Sequence, residues 1–291
     1  MGNMVFVKDY RDNDKLRASF NELAEKTFGL NFEDWYQNGY WTHKYNPYSM
    51  VEDGGKVVAN VSVNLTDYLW KGKRWKFIQL GTVMTDEAYR NRGLIRQLME
   101  EIEKDYAESV DGVFLFGNDS VVDFYPKFGF QKCGEYEYVK DVVNTQDCSM
   151  KKVPMEKKEQ WDMLEKRINN CAAYSAFEPV GYSELFMFYI TKFMQDTVYY
   201  EKEQDAYVIA EIEESQLILH GVFAKQECDL DNVIAAFGKE IKKVRLTFAP
   251  IHKGGYEVLP YREEDCTLFI KWEGFEGFKA DRVRFPELAH A

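Results

Sequence analysis

One stretch constrains this chain more than any other, the run from Phe77 to Lys104. Phe77, Ile78, Leu80, Val83 and Met84 form an apolar run with β-branched members, which reads as a buried strand. A polar turn follows, and then Arg90-Asn91-Arg92-Gly93-Leu94-Ile95-Arg96. Apolar residues next recur at Leu94, Ile95, Leu98, Met99 and Ile102, the 3.6-residue period of an amphipathic helix. Glu100, Glu101 and Glu103 fall on the opposite face.

Strand, glycine turn and helix start together make an anion site. The first turn of a helix leaves backbone N–H groups without partners, and the helix dipole adds partial positive charge there. Gly93 lets the main chain come close to a phosphate, and Arg90, Arg92 and Arg96 add charge. The turn alone is equally compatible with a helix N-terminus carrying solvated arginines.

The turn resembles the acetyl-CoA signature of the GNAT N-acetyltransferase superfamily, Arg/Gln-x-x-Gly-x-Gly/Ala. Ile95 stands where that pattern has a small residue. Arg-Gly-Leu-aliphatic-Arg turns of this kind occur in the multidomain acetyltransferases of the enhanced-intracellular-survival type. A second stretch strengthens the likeness. GNAT members often carry Asn-x-x-Ala-x-x-x-Tyr-x-x-x-Gly-Phe after the fifth strand. Asn118, Tyr125, Gly129 and Phe130 match it, with Val121 in place of Ala. The two motifs lie in the family's order and at its usual separation.

The resemblance implies roles for these residues. Val83, Met84 and Thr85 would offer backbone groups to the pantetheine arm of acetyl-CoA. The backbone of Asn91, Arg92, Gly93, Leu94, Ile95 and Arg96, with Arg90 beside it, would hold the pyrophosphate. Asn118 would hydrogen-bond the pantetheine or cap a helix, and both roles can hold together. Tyr125 would protonate the departing thiolate, because a phenol of pKa ~10 outlasts a thiol of ~8.5. As a residue beside Phe124 and Phe128, Tyr125 also fits a core aromatic. The resemblance further implies a main-chain donor near Met84 that polarises the carbonyl. Gln79, Asp86, Asp119 and Glu52 are base candidates by position, as is a water chain. In the enhanced-intracellular-survival type a terminal carboxylate reaches the active site, a role Ala291 could share.

Composition narrows the class. The 291 residues suffice for two domains, and 45% hydrophobic with 16% aromatic residues can fill real cores. A net charge of −12 argues against a nucleic-acid binder, which needs a basic face. It suits an amine substrate or simple solubility equally. Five cysteines, odd in number and without a CxxC, fit a reduced, cytoplasmic protein. Four scattered histidines have no metal-ligand spacing, so no metal is expected. Met1 to Val5 lacks a basic region followed by an apolar core, and Leu185–Met194 is too short to span a bilayer. Neither signal peptide nor membrane attachment is expected.

The expected fold is α/β of the α+β kind. Residues 1–145 form a GNAT-type mixed sheet flanked by helices, ending in a strand around Tyr136 to Val139. A polar linker at Asn144 to Met155 precedes 150–291, read as a smaller, degenerate GNAT-like domain. Its counterpart of the phosphate turn, Ala224 to Asp231, has no glycine and carries Glu227, Asp229 and Asp231. Asp229 or Asp231 is expected to cap a helix there, and like charge would repel pyrophosphate, so no second CoA site is expected. The function expected is acetyl transfer to a primary amine, on a small molecule or a peptide. The alternative is a non-catalytic acyl-CoA-binding or sensor protein. The acceptor and the oligomeric state are not legible in the sequence.

Overall fold

A computed structural model describes residues 4–291; Met1 to Asn3, the start of the stretch read above for a signal peptide, lie outside it. The first part runs β1 (Met4–Val7), α1 (Asp14–Phe28), α2 (Glu33–Gln37), β2 (Tyr45–Glu52), β3 (Lys56–Trp70), β4 (Lys73–Thr85), α3 (Leu94–Tyr106), β5 (Gly112–Gly117), β6 (Gln131–Cys133) and β7 (Glu135–Asp141). There follow β8 (Lys151–Lys152), α4 (Lys158–Ile168), β9 (Glu178–Val180), α5 (Ser183–Lys192), β10 (Val198–Glu201), β11 (Ala206–Glu213) and β12 (Gln216–Ala224). The chain closes with α6 (Leu230–Ala235), β13 (Lys243–Leu246), β14 (Glu257–Tyr261), β15 (Thr267–Trp272) and α7 (Phe275–Ala280). No described helix is long and apolar enough to cross a membrane.

Local chemistry explains the ends. Asn13 caps α1, its Oδ1 accepting from Leu16 N–H at 3.2 Å. Gly29, at φ 69°, closes the same helix. Asp229 caps α6, accepting from Asp231 N–H at 2.9 Å. The helix expected from Asn118 through Tyr125 is absent. Two 3-10 turns, Asp119–Val121 and Tyr125–Phe128, replace it, with Pro126 early in the second. Proline has no N–H to give to a continuing helix.

Two mixed sheets result, and they exchange strands. The first runs β1-β2-β3-β4-β5-β15-β6, with β9 pairing the far end of β3. The second runs β14-β7-β13-β12-β11-β10-β8. Each contains one parallel pair flanking a helix, β4 with β5 around α3 and β12 with β13 around α6. Each then takes its next strand from the other half: β15 lies between β5 and β6, and β7 lies between β13 and β14. The strand expected to finish the first sheet at Tyr136–Val139 therefore joins the second, inside its edge strand β14. The expected 145/150 division does not coincide with the boundary between the sheets. Tyr138, fully buried at Leu246 and Val258, is why β7 belongs there.

Apolar burial sets the layers. Leu94, Leu98, Met99 and Ile102 of α3 pack with Ile78, Leu80 and Leu115 on one face of the first sheet. A larger cluster joins the opposite face, through Tyr68, Phe77 and Phe114, to Leu217, Val244 and Phe248 of the second. Phe285, stacked 4.0 Å from Phe114, threads the closing segment through this shared layer.

Candidate active site

The site begins where β4 and β5 part. Their pairing runs from Phe77↔Gly112 to Leu80↔Leu115 and stops, although β4 continues to Thr85 and β5 to Gly117. Between β3 and β4 the register shifts between Asn60 and Ser62, opposite Met84 and Gly81. That bulge puts Thr82 at φ 42°, outside ordinary strand geometry. The consequence is an edge of unpaired backbone groups on β4. A cleft of about 770 Å³ opens there, lined by Gly81 to Thr85 on one side and Phe116 to Asn118 on the other.

The sequence-predicted residues divide around this cleft. Val83, Met84, Thr85, Arg90, Ile95, Asn118 and Tyr125 line it. Asn91 and Gly93 form the left-handed turn before α3, at φ 62° and 75°. Gly93 caps α3 without a side-chain hydrogen bond, so the first N–H groups of the helix stay free. The side chain of Leu94 is buried in the core and leaves only its backbone for a ligand. Arg92 lies over the Tyr89 ring and donates to the Ala88 carbonyl at 2.7 Å, while Arg96 lies over Phe128. Of the three arginines, Arg90 alone lines the cleft.

Tyr125 is packed as a core aromatic and still meets the cleft. Its ring contacts Phe124, Phe130 and Phe269. Gly117 permits that approach, since a Cβ there would fall 2.9 Å from the Tyr125 ring. The Tyr125 hydroxyl has no hydrogen-bond partner among the described residues, and burial pushes its pKa up to about 12. Both readings of this residue hold together. Asn118 does not cap the turn after it; its Oδ1 accepts from the Ser120 hydroxyl at 2.6 Å.

None of the four side chains named as base candidates lines the cleft. Asp86 binds Lys56 at 2.9 Å and caps the turn at Ala88, and the lysine holds its pKa down. Glu52 accepts from the Tyr89 hydroxyl. Asp119 faces Arg262 at 3.4 Å. Gln79 is fully buried, and with its amide oriented to suit its neighbours it donates to the Ala289 carbonyl at 2.9 Å.

Sequence reasoning gave little weight to the closing segment and to an aromatic wall. Ala291 lies against Gly81, whose Cβ would sit 3.0 Å from the Ala291 carbonyl carbon. His290 stacks on Phe116 at 3.8 Å, and the Tyr189 hydroxyl donates to its carbonyl at 2.8 Å. The wall joins the two halves: Trp35 of α2 donates its indole N–H to the Glu184 carbonyl of α5 at 2.9 Å.

The comparisons follow this geometry. Residues 12–133 match the model for an acetyltransferase (GNAT) domain. The match covers the part of the chain that holds the turn before α3 and Tyr125. No curated protein sequence matches it. Among solved structures, it is similar in fold to a probable N-acyltransferase from Enterococcus faecalis, at 13% identity and TM-score 0.60, over 93% of this chain and 72% of that one. A GCN5-related N-acetyltransferase from Kribbella flavida gives 14% identity and TM-score 0.59, over 93% and 71%. Eis1 from Mycobacterium abscessus gives 12% identity and TM-score 0.56, over 92% and 73%. At such identities the likeness concerns the GNAT fold, here in tandem form.

Proposed function

We propose that this GNAT protein transfers the acetyl group of acetyl-CoA to a primary amine, on a small molecule or a peptide, by direct attack on the thioester. One observation carries the reading: the Tyr125 hydroxyl, the bulged strand at Thr82 and the start of α3 meet at a single cleft. Acetyl-CoA supplies an acyl group already activated as a thioester. The free N–H groups at the start of α3, with Arg90, would hold its pyrophosphate. The unpaired edge of Val83, Met84 and Thr85 would take the pantetheine, with Asn118 across from it. A main-chain N–H of this bulged edge would polarise the carbonyl. Burial keeps Tyr125 protonated at neutral pH; it gives its proton to the sulfur as the C–S bond breaks and takes one back from water. No carboxylate side chain lines the cleft, so the ammonium sheds its proton to water or to the Ala291 terminus beside Gly81.

The reading places cofactor and catalysis in residues 1–145 and treats 150–291 as a degenerate GNAT-like partner. It needs no metal, and it fits a cytoplasmic protein whose five cysteines are unpaired. The test is thermal unfolding with and without acetyl-CoA, on wild type and Arg90→Glu, followed by turnover. A stabilisation that weakens in the variant supports the cradle. No shift at millimolar acetyl-CoA would remove the cofactor. A shift without turnover on a broad amine panel would favour an acyl-CoA sensor.

A further inference from the structure

We infer that the acceptor is a monoamine on an apolar, ring-bearing carbon skeleton, and not a polycation; this rests on the transferase reading above. Part of the cleft is walled by Phe32, Trp35, Tyr45, Leu185, Phe188 and Tyr189. These rings brace one another. Phe32 stacks on Phe188 at 5.3 Å, and Trp35 meets Tyr45 edge-on at 5.2 Å. Such a wall offers rigid carbon faces at fixed positions.

The polar atoms of that wall are already used. Trp35 gives its N–H to the Glu184 carbonyl, and the Tyr45 hydroxyl bonds the Ser62 and Thr82 hydroxyls at 2.9 and 2.8 Å. Tyr189 is bound to the His290 carbonyl. Asn64 accepts from the Tyr182 hydroxyl at 2.8 Å. The Glu184 carboxylate is neutralised by Lys44 at 2.8 Å. No Asp, Glu or Lys side chain lines the cleft, although the chain carries a net charge of −12. The one anionic group on its lining is the main-chain terminus of Ala291 at Gly81, enough for a single ammonium, so a polyamine entering here would lose the water on its other charges with no second anion in exchange. A single amine attached to a ring loses water only at its head. There the ring faces attract what charge remains, while the skeleton gains contact along the wall.

The test uses the full chain with saturating acetyl-CoA, and reads both thiol release and acetylated product by mass. 2-Phenylethylamine and tryptamine are compared with spermidine, a trilysine peptide and a polyaminated sugar. The ring-bearing monoamines are expected to lead in kcat/KM by roughly 10–100-fold, the range a shaped pocket confers. Phe28 lines the rim and is exposed, so Phe28→Glu places a carboxylate there without disturbing the core. It should narrow the ratio by favouring the polycations. Polycations equal to or ahead of the monoamines in wild type would overturn the inference and leave the transferase reading standing. Acetyl-CoA binding without acetylation of any amine would overturn it too. Loss of acetyl-CoA stabilisation would bring down the transferase reading itself.

Discussion

The molecule contains the same wedge twice, and the two copies have opposite contents. In the first, β4 and β5 part after Leu80 and Leu115; in the second, β12 and β13 part after Leu219 and Leu246. Each has a bulge on its middle strand, at Thr82 in one and His220 in the other, and a glycine beside it, Gly81 or Gly221. The first wedge opens as a cleft with Ala291 at its glycine. The second is filled from within. Ala172 N–H bonds the Ala224 carbonyl at 2.7 Å, Ala176 N–H bonds the Ala249 carbonyl at 2.7 Å, and Tyr174 packs on Phe223 and Phe248. The turns differ as well. Arg90 lines the first wedge, whereas Glu227, Asp229 and Asp231 line the space outside the second. Splayed strands thus make a place for a ligand, and the residues filling and charging that place decide whether it suits an anionic cosubstrate.

The largest expected effect comes from pulling the two copies apart. A fragment of residues 1–145 has no β15 to lie between β5 and β6, and its β7 has no sheet to join. It should give no sharp thermal transition and should aggregate, which circular dichroism and size-exclusion chromatography would reveal. A folded monomer would show that the exchange is dispensable. Next in size is Tyr125→Phe, which the second wedge cannot compensate. Turnover should fall by roughly 10²–10⁴-fold, the worth of a general acid, while acetyl-CoA still stabilises the protein. Retained turnover would reduce Tyr125 to a packing residue.

A smaller effect concerns charge at the turns. At a hundredfold excess over its dissociation constant, acetyl-CoA should add about 2.7 kcal/mol to wild-type stability. Arg90→Glu makes the first turn resemble the acidic second one and should cut that gain; a gain left intact would place the phosphates elsewhere. The smallest effect is a pH slope from the filled wedge. Burial raises the Glu178 pKa from 4.5 to about 8, against hydrogen bonds from Ser175 and Tyr174 that lower it. The folded state therefore holds a proton that the unfolded chain releases. Stability should be full below pH 4.5 and decline as pH rises towards 8. Glu178→Gln should flatten that slope, at roughly 2–4 °C of Tm for each kcal/mol; an unchanged slope would locate the titration elsewhere.

What was legible in the sequence was local. The apolar run ending at Met84 and the 3.6-residue period from Leu94 gave β4, the turn and α3. Partner choice was not legible. Nothing in Tyr136 to Val139 says which sheet it joins, because alternation fixes which face is buried and not which strand lies alongside. Nor does anything in Thr267–Trp272 say that it inserts between β5 and β6. The helix expected after Asn118 failed on a local feature, Pro126, that the motif match outweighed. Nor was it legible that Trp35 and Tyr45 pack in the core and also wall the cleft.

The exchanged strands also have a consequence in time. β15 pairs residues 267–272 with residues 112–117, so the first sheet cannot close on a nascent chain until more than half of the protein has followed β5 out of the ribosome. Contacts so distant in sequence slow the search for the native state. The two halves must also wait for one another, which links their assembly into one event. Until then the edges of β5 and β6 stand open to other chains, the hazard that unpaired strands carry. A cell making this protein should depend on chaperones at that stage more than one making two self-contained domains of the same total length.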